Sequence, residues 1–451
     1  MEPQVHHQKL TPAWEALDRL LPSRDVDKDY WWKATGPDLA LMTEAADYTP
    51  DHQYQTLLFH YHYTVPFMGP RPSKEGELPC PSLFGDGIPL EYCWKWNTAS
   101  TAPDVRYTLE SLGPSSRTSL DPLNHDANIA FLEKVKGVEP STDLSINQHF
   151  LSTLFDPDRA KYASMSRSFS MTMFATVEFL RSGLFTKTYF MPPSPDHDKP
   201  GPVSMPVWEE SLAKLHPKSP ARQAMHEFLQ TSPEGKLLRP VMLALDNNAA
   251  ASTRLKLYLT TPHTSFASIR EILTLGGSKP IPDDMLEQVR SLITAVACLD
   301  SPLPDDEELP MTPQKHYMNE DELRKVPGLV SGYGYYFDIG SEAAQPDVKL
   351  YISMRPYGKD DLSIGRGLVD WMKRHGRGQY GKQYLDMLQA ISPHRHPGKE
   401  KGQHIYISCM VNKDQLNITS YFAPRMPVRR GRKRGQDGEG VASPDKVSRK
   451  E

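Results

Sequence analysis

Cysteine is scarce in this chain of 451 residues, which contains only four. Cys80, Cys93, Cys298 and Cys409 lie far apart, without the short spacing of a zinc site or the density of a disulfide-rich secreted domain. The pattern favours a reducing compartment. The first ten residues also hold no apolar stretch of the kind found in a secretory signal, so we expect a cytoplasmic protein.

Long apolar runs and a strong net charge are absent as well. The longest apolar run lies near Leu292 to Leu299, whereas a membrane-spanning helix needs roughly 20 apolar residues. The formal net charge is -4, which gives no reason to expect a nucleic-acid or membrane partner. Because 38% of the residues are hydrophobic, the chain can bury a large core, and we expect a globular protein. Its oligomeric state, monomer or homodimer, is left open by the sequence.

The predicted elements follow a repeated order of helix, strand pair, helix and strand pair. Antiparallel pairs joined by short turns argue against a doubly wound parallel sheet, in which strands and helices alternate singly. In the third pair, Asp246, Asn247 and Asn248 are predicted to form the turn. The predicted pairs cover residues 90–96 and 105–110, 168–178 and 184–191, 240–246 and 253–260, 331–338 and 347–353, and 403–411 and 415–422.

A cationic or polar residue, followed two positions later by tyrosine, recurs on four predicted strands. Because strand side chains alternate with period two, both members of each copy should point to one face, as should Arg254 before the second copy. The intervening residues are mostly apolar and are expected to pack on surrounding helices. The copies are Lys187-Thr188-Tyr189, Lys256-Leu257-Tyr258, Lys349-Leu350-Tyr351 and His404-Ile405-Tyr406.

Two interpretations of this repeat remain open. Any single copy is more often a solvated strand face, but four copies favour strands that turn these side chains into a barrel lumen. A buried cluster of cations needs an anionic partner, and a diphosphate fits because arginine and lysine both bind its oxygens. Aromatic faces stabilise a cation by about 0.5–2 kcal/mol each. A prenyl diphosphate ionises to diphosphate and an allylic cation, so the cationic residues and the tyrosines of the repeat together predict a site for this ionisation.

An acidic residue on the first predicted strand is a candidate for binding an aromatic substrate. Glu91 lies in IPLEYCWKW, where its carboxylate could accept a hydrogen bond from an indole N–H; a glutamate on a strand surface is the alternative. In the next segment, VRYTLE, Arg106 is predicted to be a further phosphate-facing cation. Glu110 in the same segment is expected to pair with an arginine.

The ordered segments IPLEYCWKW, VRYTLE, TKTYF, RLKLYL, DVKLYI and HIYIS, with FHYHYTVPFMGPRP upstream, resemble the dimethylallyltryptophan synthase family of aromatic prenyltransferases. The resemblance runs from about residue 10 to 425. It implies an α+β fold, the αββα prenyltransferase barrel, in which ten antiparallel strands enclose a lumen and helices form an outer ring. It also implies one domain over residues 1–425, followed by a basic, polar tail over 426–451 that we expect to be disordered.

The resemblance assigns roles to residues that match the family. It implies no metal and no cofactor, with dimethylallyl diphosphate as co-substrate and an aromatic small molecule as acceptor. Glu91 would bind an indole N–H. The diphosphate would be held by Arg106, Lys187, Arg254, Lys256 and Lys349. The cation would be shielded by Tyr189, Tyr258, Tyr351, Tyr406 and Tyr421, and the acceptor pocket would include Leu83 and Met191.

Three departures from the family pattern argue against free tryptophan as the acceptor. The segment MTMFATVEF lacks the lysine proton acceptor, Met191 replaces a tyrosine after KTYF, and Arg239 is displaced from the position that would hold a carboxylate. A larger indole, such as a cyclic dipeptide or an indole diterpene, is expected instead. Gly332 and Gly334 are predicted to leave extra room in the lumen. O-prenylation of a tyrosine or phenol, and free tryptophan itself, remain alternatives.

Other classes of protein fit the sequence less well. A helical isoprenoid synthase would need a magnesium-binding acidic helix, but Asp305-Asp306-Glu307-Glu308 lies between prolines in a predicted loop. A zinc site among His394, His396 and His404 is weaker, because the first two flank a proline turn. A non-catalytic nucleic-acid binder could use RRGRKR at 429–434, but it would not explain the repeat on four strands.

Overall fold

The computed structural model describes residues 10–72, 88–98, 101–162, 171–194, 202–311, 332–340, 343–391, 398 and 402–423. Within these residues, ten strands form a closed antiparallel barrel in which consecutive strands are neighbours and β1 closes against β10. The predicted barrel is confirmed. The strands are β1 (Leu90–Trp96), β2 (Asp104–Leu109), β3 (Met173–Leu180), β4 (Gly183–Phe190), β5 (Arg239–Asp246), β6 (Leu255–Thr261), β7 (Tyr333–Asp338), β8 (Asp347–Ser353), β9 (His404–Asn412) and β10 (Gln415–Phe422).

Helices pack around the outside of the barrel. Several begin with a threonine or serine cap followed by proline; Thr11 and Ser219, for example, accept hydrogen bonds from backbone N–H groups in the first turns of their helices. The helices are α1 (Pro12–Leu20), α2 (Val26–Ala45), α3 (Pro50–Phe59), α4 (His125–Lys136), α5 (Ser145–Leu154), α6 (Met205–Leu215), α7 (Pro220–Thr231), α8 (Pro233–Leu237), α9 (Phe266–Leu273), α10 (Asp283–Val296), α11 (Met354–Tyr357), α12 (Asp361–Arg374) and α13 (Gly381–Ala390).

Strand alternation separates the apolar core from the lumen. On β6, Leu257 and Leu259 belong to the large apolar cluster shared with the helices, whereas Tyr258 packs against other tyrosines on the inner face. On β8, Leu350 faces the helices in the same way and Tyr351 faces inward. The predicted direction of the Lys-x-Tyr side chains is thus correct for these strands.

The antiparallel order gives the barrel two chemically different rims. At one rim β1, β7 and β9 begin while β8 and β10 end; we call it the Glu91 rim. At the opposite rim β5 ends at Asp246 and β6 begins; we call it the Asp246 rim. Because each of the ten described strands pairs with a neighbour on both sides, the rims are the expected routes of access to the lumen.

A β-bulge interrupts the pairing of β9 with β10. Tyr421 pairs with Tyr406, but Phe422 pairs with His404, so Ile405 is an extra residue. His404 consequently faces the helices, where its ring contacts Asp361 of α12 and Tyr384 of α13. Ile405 instead joins a small apolar cluster with Tyr421. The prediction that His404 and Tyr406 share one face is therefore wrong, because the bulge shifts the alternation by one residue.

The acidic segment before Pro310 has a structural role. Asp305 pairs with Arg270 and with Arg290 of α10, and Glu308 accepts hydrogen bonds from the backbone N–H groups of Thr264 and Ser265 at the start of α9. No group of three or more metal-ligating side chains occurs among the described residues. In the same part of the chain, no helix is long and apolar enough to cross a membrane.

Candidate active site

Buried ion pairs line the lumen toward the Asp246 rim. Lys187 Nζ lies 2.5 Å from Glu178 Oε1, and Arg106 Nη1 lies 2.6 Å from the same oxygen. Lys256 Nζ lies 2.6 Å from Asp246 Oδ1. The structure therefore brings together three of the cations predicted to hold a diphosphate, and it adds carboxylates that the sequence analysis had not included.

Arg254 stands at the edge of this cluster. Its Nε lies 2.7 Å from Asp246 Oδ2, and its Nη1 lies 3.7 Å from Asp338 Oδ2. The side chain is 52% exposed, unlike the other cations of the lumen. Arg254 is thus the most exposed of the five cations predicted to bind the diphosphate.

Lys349 is the predicted cation without a carboxylate partner in the described part of the chain. Its Nζ is 3.4 Å from Thr419 Oγ1 and lies over the rings of Tyr336 and Tyr351, at 6.0 and 5.7 Å from their centroids. Burial, together with the neighbouring Arg106 and Lys187, holds the pKa of Lys349 well below its usual range. An anion in the lumen would therefore be stabilised by this lysine and would favour its protonated form.

The electrostatics of the paired groups follow from burial and from one another. Burial opposes ionisation of Glu178, but Lys187 and Arg106 outweigh it and hold the pKa of this carboxyl well below its usual range. Burial and the charge of Lys187 lower the pKa of Lys256 to about 8, although Asp246 acts in the opposite direction. The cluster thus combines an ionised carboxylate at Glu178 with a lysine, Lys256, whose pKa of about 8 lies near neutral pH.

Aromatic rings form a continuous inner surface between the two rims. Tyr258 is central: its ring centroid lies 6.1 Å from that of Tyr189 and 5.6 Å from that of Tyr351. Tyr351 continues the series, with centroid distances of 5.6 Å to Tyr421 and 6.0 Å to Tyr406. All five tyrosines predicted to shield a cation therefore meet in one chamber. Such a surface can stabilise a positive charge while excluding water.

Tyr336 belongs to this surface but was missed from the sequence. Its ring lies 5.4 Å from that of Tyr258 and 6.1 Å from that of Tyr351. The signal was present, because Tyr336 is two residues from Gly334 and from Asp338 on a strand with period-two alternation. Glu178 and Asp246 were missed as well, since the partner of each cation lies on another strand.

Glu91 lies near the other rim, opposite Thr108 in the pairing of β1 with β2. It is nearly fully buried, and burial raises the pKa of its carboxyl to about 8, against the opposing charges of Arg106 and Arg355. At neutral pH the group is therefore mainly a neutral acid, able to donate as well as accept a hydrogen bond.

The predicted acceptor pocket is defined in part. Met191 packs with Met171, Phe174, Tyr189 and Met242 in an apolar cluster on the inner side of β3 to β5, and the rings of Phe174 and Tyr189 are stacked at 4.7 Å. Leu83 lies outside the described residues.

The two glycines predicted to widen the lumen differ in whether their position could hold a larger side chain. Gly334 faces inward, and a Cβ added there would make ordinary contact with the side chain of Tyr351. Gly332 has a φ of 81°, and a Cβ there would collide with the carbonyl oxygen of Thr261. The prediction of extra room is thus wrong for Gly332, whose backbone conformation requires glycine.

Comparisons with known proteins agree with this geometry. A family model described as tryptophan dimethylallyltransferase matches residues 27–387. The chain is 47% identical over 418 residues to prenyltransferase anuH of Penicillium roqueforti, covering 92% of each chain. It is 40% identical over 446 residues to xanthone prenyltransferase B of Emericella nidulans, covering 95% of this chain and 96% of that protein.

Solved structures have the same fold. AnaPT from Neosartorya fischeri superposes with a TM-score of 0.74 at 20% identity, and NotF in complex with brevianamide F and DMSPP with a TM-score of 0.73 at 20% identity; each match covers 92% of this chain and 98% of the other. Fold and lumen thus define an αββα barrel of the aromatic prenyltransferase class. The chain belongs to the tryptophan dimethylallyltransferase family, whose members are metal-independent and use dimethylallyl diphosphate as co-substrate.

Proposed function

We propose that this protein transfers a dimethylallyl group from dimethylallyl diphosphate to an aromatic carbon of a hydroxylated, polycyclic acceptor. The observation that carries the proposal is the order of surfaces along the lumen. Cations gather toward the Asp246 rim, tyrosine rings line the middle, and the carboxyl group of Glu91 lies toward the other rim. A diphosphate, an allylic chain and an aromatic ring each match one of these surfaces.

The donor diphosphate would bind among Arg106, Lys187, Arg254, Lys256 and Lys349. Its charge supplies an anion for Lys349, which has no carboxylate partner among the described residues, and its several oxygens can accept from Lys256 and Arg106 while these keep their carboxylate partners. The carboxylates of Glu178 and Asp246 hold the cations in place before the donor arrives. Binding then needs little rearrangement of the side chains.

Ionisation of the donor follows from this placement. The C–O bond breaks with its electron pair remaining on the diphosphate, and the allylic cation lies between tyrosine faces, each stabilising it by about 0.5–2 kcal/mol. The π electrons of the acceptor form the new C–C bond, and the attacked ring carbon then loses its proton. The closed wall of the barrel keeps bulk water from the cation, whose hydrolysis would compete with transfer.

Two observations support an oxygenated acceptor. Xanthone prenyltransferases A and B of Emericella nidulans, 41% and 40% identical to this chain, are named for an oxygen-containing aromatic. With a pKa of about 8, Glu91 carries a proton at pH 7 and can donate a hydrogen bond to an acceptor oxygen.

An indole acceptor is the second candidate, and the sequence-based prediction of a cyclic dipeptide or an indole diterpene stays a prediction. The same carboxyl group keeps a carbonyl oxygen that can accept from an indole N–H. The chemistry would otherwise be unchanged.

The proposed domain extends to residue 425; β10, its last described strand, ends at Phe422.

A matched acceptor panel tests the proposal. A hydroxyxanthone, tryptophan, a tryptophan-containing cyclic dipeptide and tyrosine would each be incubated with dimethylallyl, geranyl or farnesyl diphosphate in the presence of EDTA, and products would be identified by mass spectrometry. The expected result is the highest kcat/KM for the hydroxyxanthone with dimethylallyl diphosphate and a carbon-linked product. A higher kcat/KM for either indole acceptor would overturn the phenolic assignment, and an oxygen-linked product would overturn carbon transfer.

A further inference from the structure

Arg355 is a cation at the Glu91 rim that the sequence analysis did not single out. It lies in α11, which directly follows β8. Its Nη2 donates to the carbonyl oxygen of Gly402, 3.4 Å away and two residues before β9 begins. Because β8 ends and β9 begins at this rim, Arg355 lies beside the strand ends that carry Tyr406 and, across β10, Glu91.

The charge of Arg355 reaches both polar groups near this rim. Burial raises the pKa of the Glu91 carboxyl and of the Tyr406 phenol, and Arg355 acts against burial in each case. Arg355 takes no part in the ion pairs at the Asp246 rim, where Lys256 and Arg254 share Asp246. The position of Arg355 thus places its charge at the Glu91 rim and away from the proposed donor site.

We infer that Arg355 is an acceptor-binding residue that holds an acidic oxygen of the acceptor, a phenolate or a carboxylate, at the Glu91 rim. The inference rests on the proposed phenolic acceptor and adds the charge state in which that acceptor binds. A guanidinium remains protonated at any working pH and offers forked donors to an oxyanion. The neutral carboxyl of Glu91 supplies another donor on the same rim.

An anionic acceptor changes the chemistry in a defined way. The phenolic proton is released to solvent on binding. The C–O bond of the donor breaks as described above, and the phenolate then donates an electron pair through its ring, so that a ring carbon forms the new C–C bond to the allylic cation. The resulting dienone loses its ring proton to an oxygen of the departing diphosphate. The ring regains aromaticity as a phenolate, and charge and protons balance.

Two xanthones that differ in one ionisable group test the inference. The probes are 3-hydroxyxanthone and 3-methoxyxanthone, of which only the first can form an oxyanion. For each, kcat/KM is measured, with a competitive inhibition constant where turnover is too slow. The variants are Arg355→Gln and Arg355→Lys, with Arg374→Gln as the matched control, since Arg374 is exposed at the end of α12.

In Arg355→Gln, the hydroxy compound is expected to lose about tenfold or more in kcat/KM or affinity, the usual scale for a hydrogen bond to a charged group. The methoxy compound should change by less than about threefold, and the donor KM should stay within about twofold. Arg355→Lys keeps the positive charge but not the forked pair of N–H donors, so an intermediate loss in kcat/KM is expected. Arg374→Gln should match the wild type.

Equal losses of kcat/KM for both xanthones would overturn the inference, because they would assign Arg355 a packing role. An unchanged kcat/KM for the hydroxy compound would overturn it as well. If circular dichroism shows that Arg355→Gln is unfolded, Arg355→Lys is used in its place. The ratio of kcat/KM for the hydroxy compound to kcat/KM for the methoxy compound then tests the inference in the same way. A wild-type preference for an indole would overturn the proposed function, whereas the effect of Arg355 is read from the two xanthones alone. Failure of the proposed function and failure of the Arg355 inference are thus distinguishable.

Discussion

Lys256 Nζ lies 2.6 Å from Asp246 Oδ1 across the β5–β6 pair, and both residues are almost completely buried. The ion pair would ordinarily keep a lysine charged far above neutral pH. Here burial and the like charge of Lys187 prevail over Asp246 and bring the pKa of Lys256 down to about 8. The proposed donor site therefore contains a lysine whose pKa lies close to physiological pH.

Donor binding is expected to weaken as the pH rises through about 8. A diphosphate needs the charged form of Lys256, and in the free enzyme that form is lost above this pKa. The measurement is the pH profile of kcat/KM for dimethylallyl diphosphate. Lys256→Arg should move the falling limb to higher pH, and Lys256→Ala should raise the donor KM about tenfold or more. An unchanged donor KM in Lys256→Ala would contradict the diphosphate role.

Lys256 also makes folding stability depend on pH, with a sign opposite to that expected for donor binding. Between about 8 and the ordinary value of 10.5, the unfolded chain holds a proton on Lys256 that the folded chain has lost. Because the unfolded state then binds more protons, the contribution of this group to the free energy of unfolding rises with pH in that interval. Donor affinity and the stability contribution of Lys256 therefore respond to pH with opposite signs.

Glu91 offers a second prediction, because its pKa of about 8 makes the neutral acid the main form at pH 7. Glu91→Ala is expected to reduce turnover by roughly 10²-fold or more, as for other groups that assist proton or charge transfer. Glu91→Gln, which resembles the neutral acid, should retain turnover within about tenfold of the wild type at pH 7. Both are measured as kcat with saturating donor and acceptor.

The two Glu91 variants also discriminate between the neutral and the ionised form of this carboxyl group. If Glu91→Gln lowers turnover as much as Glu91→Ala does, the ionised carboxylate is the working form, which would contradict the proposed role of the neutral acid as a hydrogen-bond donor to an acceptor oxygen. Turnover of Glu91→Ala equal to that of the wild type would leave Glu91 with a structural role only.

The parts of the site that could be predicted from sequence depend on local spacing. Lys187 and Tyr189 share a face because strand residues alternate, whatever the rest of the fold does. Their partners could not be predicted in that way. Glu178 lies on the neighbouring strand and Asp246 at the end of β5, so each ion pair depends on register, which a single segment does not encode.

The β9 segment shows a second limit of local reasoning. His404 and Tyr406 have the spacing of the other copies, yet the extra residue Ile405 puts them on different faces. The bulge depends on contacts from outside the strand, because Asp361 of α12 accepts the backbone N–H of His404. No pattern within HIYIS predicts that contact.

Tyr336 supplies a prediction for the aromatic surface. Its ring contacts those of Tyr258 and Tyr351, so Tyr336→Ala opens a gap beside the position proposed for the allylic cation. Loss of one cation–π contact corresponds to roughly 2- to 30-fold in rate, and water entering the gap should divert donor to dimethylallyl alcohol. The ratio of prenylated product to alcohol is measured by chromatography. Tyr336→Phe, which keeps the ring face, is the control and should match the wild type; an unchanged product ratio in Tyr336→Ala would exclude Tyr336 from the shield.

The buried pair of Asp361 and His404 yields a prediction on stability. Asp361 accepts the backbone N–H groups of Gln403 and His404, at 3.1 and 2.8 Å, and its Oδ1 lies 3.2 Å from His404 Nδ1. In Asp361→Asn the amide N–H₂ would face a backbone donor, and the variant should lose about 3 kcal/mol in the free energy of unfolding. Urea denaturation measures the loss.

The matched control for this prediction lies on the same helix. Asp370 is exposed and pairs with Lys373 at 3.5 Å, so Asp370→Asn should change the free energy of unfolding by less than about 1 kcal/mol. Because the bulge also sets the position of Tyr406 near Glu91, Asp361→Asn should raise the acceptor KM while leaving the donor KM within about twofold. Equal stability of the two variants would show that the Asp361 contacts do not hold the bulge, and a rise confined to the donor KM would contradict its link to the acceptor end.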